Sequence, residues 1–151
     1  MTDARIAAAG KLYLIPVTLG DSKLAAVIPQ EVQQCVRTLQ YFVAENPKSA
    51  RAYLKQVGMT KPLQELHIAT LNEHTPDAAV AEMVAPLLAG HDVGVMSEAG
   101  CPGIADPGAK LVRHAHQRAI RVVPLVGPSS ILLALMASGL NGQSFAFHGY
   151  L

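Results

Sequence analysis

The sequence predicts an α/β domain built on an open, mainly parallel five-stranded sheet with helices on both faces. Three observations carry that expectation. Strand-like and helix-like patterns alternate in a regular order from Leu12 onward. Short apolar runs stop abruptly at glycine, proline or a polar residue, as buried strands do when they deliver a loop. Half of the 151 residues are hydrophobic and only 15% are charged, enough apolar material for one large core.

Leu12-Tyr13-Leu14-Ile15 reads as the first strand, closed by Pro16, and Val17 to Asp21 as a loop before a helix at about Pro29 to Thr38. Tyr41-Phe42-Val43-Ala44 is the second strand. Asn46 before Pro47 has the form of a helix cap followed by proline at the first helical position, and Gly58 stops the helix after Val57. Leu66 to Leu71 is a weaker third strand. Thr75 stands as the cap of a helix in which Val80, Met83, Val84, Leu87 and Leu88 recur at three and four residues and form one apolar face, with Gly90 after its end.

Asp92 to Ser97 is the fourth strand, inside the segment Val93 to Gly108, V-G-V-M-S-E-A-G-C-P-G-I-A-D-P-G. Small residues from Glu98 to Gly103 leave a wall where a ligand can touch backbone. Asp106 and Pro107 then form an acidic cap and a preset first turn for a helix whose apolar face is Leu111, Val112, Ala115 and Ala119. Arg121 to Val126 is the fifth strand and Ser129 to Ala137 an almost wholly apolar helix. Ser144 to His148 looks like a sixth, truncated strand. Its apolar, aromatic ending suggests a piece of a longer chain, with residues 144–151 starting a connection to a second domain, 11–143 forming the domain and 1–10 a disordered lead.

Charge and motifs exclude several function classes. Twelve basic and eleven acidic residues leave a formal charge of +1, giving no global electrostatic case for nucleic acid or an anionic membrane. A cluster of Arg113, Arg118 and Arg121 with His114 and His116 reads as solvated helix positions. Ile131 to Ala137, the most apolar stretch, is far short of the roughly 20 residues a membrane span needs. No secretory signal is legible, and Cys35 and Cys101 stand apart in unrelated contexts, so the expected compartment is the reducing cytoplasm. No metal site is expected, because neither cysteine has paired spacing and the six histidines contain no H-x-x-x-H pair. A phosphate loop, a G-x-G-x-x-G turn and a G-x-S-x-G elbow are all missing.

Ligands of open parallel sheets bind outside the carboxyl ends of the strands. That rule selects Pro16 to Asp21, Glu45-Asn46, Asn72 to Thr75, Ser97 to Pro102 and Val126 to Ser130. Glu45, Glu73, His74 and Glu98 are the titratable groups at these exits, and Glu45, Glu73 and His74 are candidates for a base by position. Gly127-Pro128-Ser129-Ser130 sets hydroxyls and amides at a helix start, suited to a polar or anionic group as well as to ordinary capping.

Leu12 to Asp21 (L-Y-L-I-P-V-T-L-G-D), Val93 to Gly108 and Val122 to Gly139 resemble successive motifs of the tetrapyrrole methylase superfamily, in order and over nearly the whole chain. Within it, the likeness is greatest to the branch that methylates a ribose 2′-hydroxyl of 16S ribosomal RNA. The resemblance implies S-adenosylmethionine bound between two α/β domains, of which this chain resembles the amino-terminal one, and assembly as a homodimer. It places Ser97, Glu98, Ala99, Gly100, Cys101 and Pro102 with Pro128, Ser129 and Ser130 along the cofactor, and Pro16, Gly20 and Asp21 on the substrate side. Ribosomal RNA or the small subunit is the implied partner. The chain departs from the branch in having Glu45-Asn46-Pro47 where an aspartate-threonine-arginine run is usual, S-E-A-G-C-P for S-D-A-G-T-P, and L-N-E-H-T for H-E-H-N. Alternative readings are a tetrapyrrole C-methyltransferase and a non-catalytic binding or dimerisation module that keeps the fold.

Overall fold

A computed structural model describes residues 8–150. It contains five parallel strands, β1 (Leu12–Leu14), β2 (Tyr41–Ala44), β3 (His67–Thr70), β4 (Val93–Met96) and β5 (Val122–Pro124), in the spatial order β3-β2-β4-β1-β5. The α/β class and the five-stranded sheet agree with the sequence. Residues 1–7 of the expected lead lie outside the described residues; Gly10 is buried, and its amide donates to the Leu87 carbonyl at 2.8 Å.

Two apolar clusters, one on each face of the sheet, form the core. On one face Ile15, Phe42, Ala44 and Met96 meet the helices α1 (Leu24–Val27), α2 (Gln30–Arg37) and α3 (Pro47–Val57) through Ile28, Val32, Val36, Tyr53 and Leu54. On the other, Leu12, Val43, Val93 and Val95 meet α4 (Asp77–Glu82), α5 (Ala85–Leu88) and α6 (Gly108–Gln117) through Val80, Leu87, Leu111 and Ala115. Central β4 is buried along its whole length, which explains its unbroken apolar reading. Gly94 within it has no room for a Cβ, because Ile15, Leu39 and Phe42 close over that point.

Several boundaries differ from the sequence reading for identifiable reasons. The helix expected after Thr75 is two short helices, because Pro86 lacks the amide that would bond back to Glu82 and its ring crowds the preceding turn. Thr75 does not cap it: its hydroxyl accepts from the Asn72 amide at 2.9 Å and closes the β3 exit turn instead. Ala119 is not on the face of α6; it sits at φ 55 just beyond the helix, where the Ile120 amide returns to the Ala115 carbonyl at 2.9 Å. Four-residue α1 has no sequence signal, because so short an apolar stretch carries no period.

Ser144 to His148 forms no strand. It pairs with neither sheet edge, and Phe147 packs on Tyr150 edge to face with ring centres 5.3 Å apart. The apolar helix α7 (Ser130–Ser138), begun as expected by Ser129, whose Oγ accepts from the Leu132 amide at 3.4 Å, buries none of its residues. No helix among the described residues is long and apolar enough to cross a membrane.

Candidate functional site

Strand order locates the site. The chain leaves β1 toward β2, passing over β4, and leaves β4 toward β5, passing over β1, so these adjacent strands send their connections in opposite directions. That is a topological switch point, and the crevice outside its carboxyl ends is where such sheets take ligands. Pro16 and Val17 enter it from β1 and Ser97 to Pro102 from β4. Gly127 to Ser130 joins from neighbouring β5, and Glu45 from β2.

The loops are fastened to one another. The Val17 amide donates to the Gly100 carbonyl at 3.0 Å, an antiparallel bridge between two strand exits. From α3, the buried Tyr53 hydroxyl donates to the Pro16 carbonyl at 2.9 Å. Gly127 lies flat against the Pro16 ring, which occupies the space of any Cβ. Gly100 has φ 67, and a Cβ on it would lie 3.1 Å from the Pro128 carbonyl and 3.3 Å from Leu19. The Cys101 thiol donates to the Pro128 carbonyl at 3.3 Å, with the Gly127 carbonyl at 3.7 Å. One carboxylate oxygen of Asp106 accepts the Gly103 amide at 3.0 Å and the Gly108 amide at 2.7 Å. Asp106 therefore does the capping expected of it, and Pro107 already has helical angles.

The acidic groups separate into two kinds. Glu45 is half-buried, and desolvation pushes its carboxyl above the usual glutamate range; a backbone hydrogen bond from Glu98 opposes that rise, while the carboxylates of Asp106, Glu98 and Glu73 add to it. Glu98 accepts the Ser49 hydroxyl at 3.1 Å. Glu73 and His74 pair only with each other, at 3.3 Å, on side chains more than 80% exposed. Ser97 turns its hydroxyl to the Ala99 carbonyl at 3.2 Å, and Ala99 is exposed while Pro102 is buried. Ser130, Gly20 and Asp21 are exposed at the outer rim, with Gly20 at φ 62.

Between these loops and α3 lies a cleft of about 180 Å³ lined by Val17, Thr18, Ser49, Tyr53, Gln56 and Glu98. Enclosed ligand sites measure roughly 300–1,000 Å³, more than this cleft holds. A larger groove, about 520 Å³, is lined by the first residues of β2, β3 and β4 with Met83 and Pro86, on the side away from the strand exits. Ser49, Tyr53 and Gln56, which line the cleft, carry no site signal in the sequence. Their spacing of four and three marks one face of α3, yet that face also carries core residues, so the polar rim was hidden in the core pattern. Among the described residues no group of three or more His, Cys, Asp or Glu is placed to hold a metal ion.

Residues 11–147 match the family described as Tetrapyrrole (Corrin/Porphyrin) Methylases. The chain belongs to that family. Tetrapyrrole methylase relatives named Ribosomal RNA small subunit methyltransferase I are similar to nearly all of it. The one from Xylella fastidiosa (strain Temecula1 / ATCC 700964) is 34% identical over 142 residues, covering 94% of this chain and 49% of the relative. The one from Escherichia coli O157:H7 is 32% identical over 94% of this chain and 47% of its own, and that of Vibrio cholerae serotype O1 is 31% identical over the whole chain and 50% of its own. This tetrapyrrole methylase chain thus spans about half the length of the relatives it matches.

Proposed function

We propose that the chain is the amino-terminal half of an S-adenosylmethionine-dependent methyltransferase that modifies a ribose hydroxyl of small-subunit ribosomal RNA. The observation that carries the reading is the rim at the switch point: three strand exits stitched together by Val17–Gly100, Gly127 on Pro16 and Cys101 on Pro128, in a chain of this family. The names of the relatives favour RNA over a tetrapyrrole acceptor.

The residues present fit such a cofactor. Buried Gly100 lets the β4 loop close on the Pro128 carbonyl and Leu19, where even one methyl group would crowd it, and the amides opening α7 beside Ser129 and Ser130 offer donors to a carboxylate or ribose. When bound, the cofactor supplies an activated methyl group on a sulfonium. What this chain contributes is alignment and exclusion of water. Ser97 to Pro102 and Pro128 to Ser130 form the cofactor wall, and exposed Gly20 and Asp21 face the substrate beside Pro16, which lies buried under Gly127 and supports that loop. Glu45 is the best-supported base, since it is half-buried and its raised proton affinity suits a hydroxyl proton, whereas Glu73 and His74 stand in solvent as a pair. The second wall comes from a further domain, for which the doubled length of the relatives leaves room, and the assembly is a cytoplasmic homodimer, as the family resemblance implies.

Calorimetry on the protein carrying both halves should show binding of S-adenosylmethionine and of its demethylated product. Gly100→Val and Ser129→Val should each weaken it. Labelled cofactor should transfer its methyl group to 30S subunits, and label in a tetrapyrrole precursor instead, or binding of neither cofactor form, would overturn the reading.

A further inference from the structure

The loop after β4 and the loop after β5 face each other along the proposed cofactor wall, and both carry a proline where they meet. Pro102 and Pro128 have no amide hydrogen. Neither loop therefore has that backbone donor for the other, and among the described residues no backbone hydrogen bond joins them. The Gly127 and Pro128 carbonyls nevertheless turn toward the β4 loop. The Cys101 thiol meets both, at 3.7 and 3.3 Å, and supplies the only hydrogen bonds between the two loops among the described residues. It is half-buried, so water competes weakly for those carbonyls.

Each loop is held on its other side. Gly127 rests on the Pro16 ring and Gly100 bonds Val17, so both loops refer to the β1 exit. The gap between them is fixed by what spans it. One residue further along, Ser129 begins α7, so the gap sets where the first amides of that helix stand relative to Ser97 to Gly100.

We propose that Cys101 is a positioning residue whose thiol clamps the β4 exit loop to the β5 exit loop and sets the spacing of the wall on which the cofactor lies. The clamp itself is a property of the ligand-free chain. Its effect on binding rests on the cofactor reading above.

Two donorless variants, Cys101→Val, which is slightly larger, and Cys101→Ala, which is smaller, are compared with Cys101→Ser, which keeps a donor. Hydrogen exchange read by mass spectrometry on the ligand-free chain should be about threefold to tenfold faster at Leu132 and Leu133, whose amides bond the Ser129 hydroxyl and carbonyl, in the donorless variants, matching the loss of one modest hydrogen bond. Cys101→Ser should return to within about twofold of the parent, and peptides from α3 and β4 should not change. In the protein carrying both halves, the donorless variants should raise KM for S-adenosylmethionine by a similar factor with kcat nearly unchanged, and Cys101→Ser should restore it. Unchanged exchange at Leu132 and Leu133 in both Cys101→Val and Cys101→Ala overturns the clamp. Faster exchange spread over α3 and β4, or no rescue by serine, also overturns it, since a plain packing residue would behave that way. Localised, serine-rescued exchange in a protein that binds neither cofactor form supports the clamp and removes the cofactor reading alone.

Discussion

Tyr53 is the side chain on which the β1 exit rests. Only 6% of it is exposed, its ring packs in the core on the α3 side of the sheet, and its hydroxyl donates to the Pro16 carbonyl. Burial pushes its phenol from 10.0 to about 12, because the charged form would sit in a poorly solvated place. A raised folded-state value means that the neutral form stabilises the fold. That contribution is complete below about pH 10, where both folded and unfolded chains hold the proton, and is lost as pH rises through about 12, by about 2–3 kcal/mol. Urea denaturation of the parent should show a decline in stability beginning near pH 10. Tyr53→Phe should be less stable at pH 8 by about 1–3 kcal/mol, since the Pro16 carbonyl loses its partner, and should show a shallower alkaline decline. An equal decline in both proteins would assign the alkaline loss to other groups. Gly94 and Gly127 act in the opposite manner, through what they lack: each admits a neighbouring side chain onto the backbone, Ile15 in one case and Pro16 in the other.

Helices and strands follow their local signals except where a single residue interrupts them. Asn46, Pro47 and Gly58 bound α3 as read, with the Asn46 side chain accepting the Lys48 amide at 2.9 Å and Gly58 at φ 79. Pro86 divides what periodicity joined into α4 and α5, since a pattern of apolar faces registers burial and is blind to a missing amide. Pro124 is tolerated because β5 is a sheet edge. The end of α6 carries strain. Ala119 adopts left-handed angles where glycine is usual, at a cost of roughly 1–2 kcal/mol for a residue with a Cβ. Ala119→Gly should therefore stabilise the chain by about 0.5–1 kcal/mol after the entropic cost of glycine. Differential scanning calorimetry should record a Tm higher by about 2 °C, and a lower Tm would show that the Ala119 methyl contributes more by packing than its conformation costs.

The molecule as a whole has one finished core and one unfinished surface. Both faces of the sheet are covered, but α7 and the chain beyond it expose Leu132, Leu133, Met136, Leu140 and Phe145, and apolar side chains left in solvent in such numbers mark an interface. Met136 is 77% exposed and Leu132 53%, so replacing them should not disturb the core. Leu132→Lys with Met136→Lys should make this 151-residue chain more soluble and reduce its self-association in sedimentation, with Tm changed by less than about 1 °C, because neither side chain is in the core. A fall of several degrees would place α7 in the cooperative fold.

Alternating apolar runs, caps and stops were enough to specify an α/β domain with five strands, the limits of α2, α3 and α7, and the set of strand exits, since these depend on backbone hydrogen bonding and burial within short stretches. Glu45, Ser97 to Pro102 and Pro128 to Ser130 could be picked out by their place after strands. Their grouping could not. That β4 lies between β2 and β1, and so brings the β1 and β4 exits to one switch point, depends on pairing between residues about fifty and eighty apart, on which local patterns are silent. The same holds for Tyr53 on Pro16, Cys101 on Pro128 and the separation of Glu73 and His74 into solvent. Distances between loops follow from how the two core layers press on the sheet, and only the folded packing sets them.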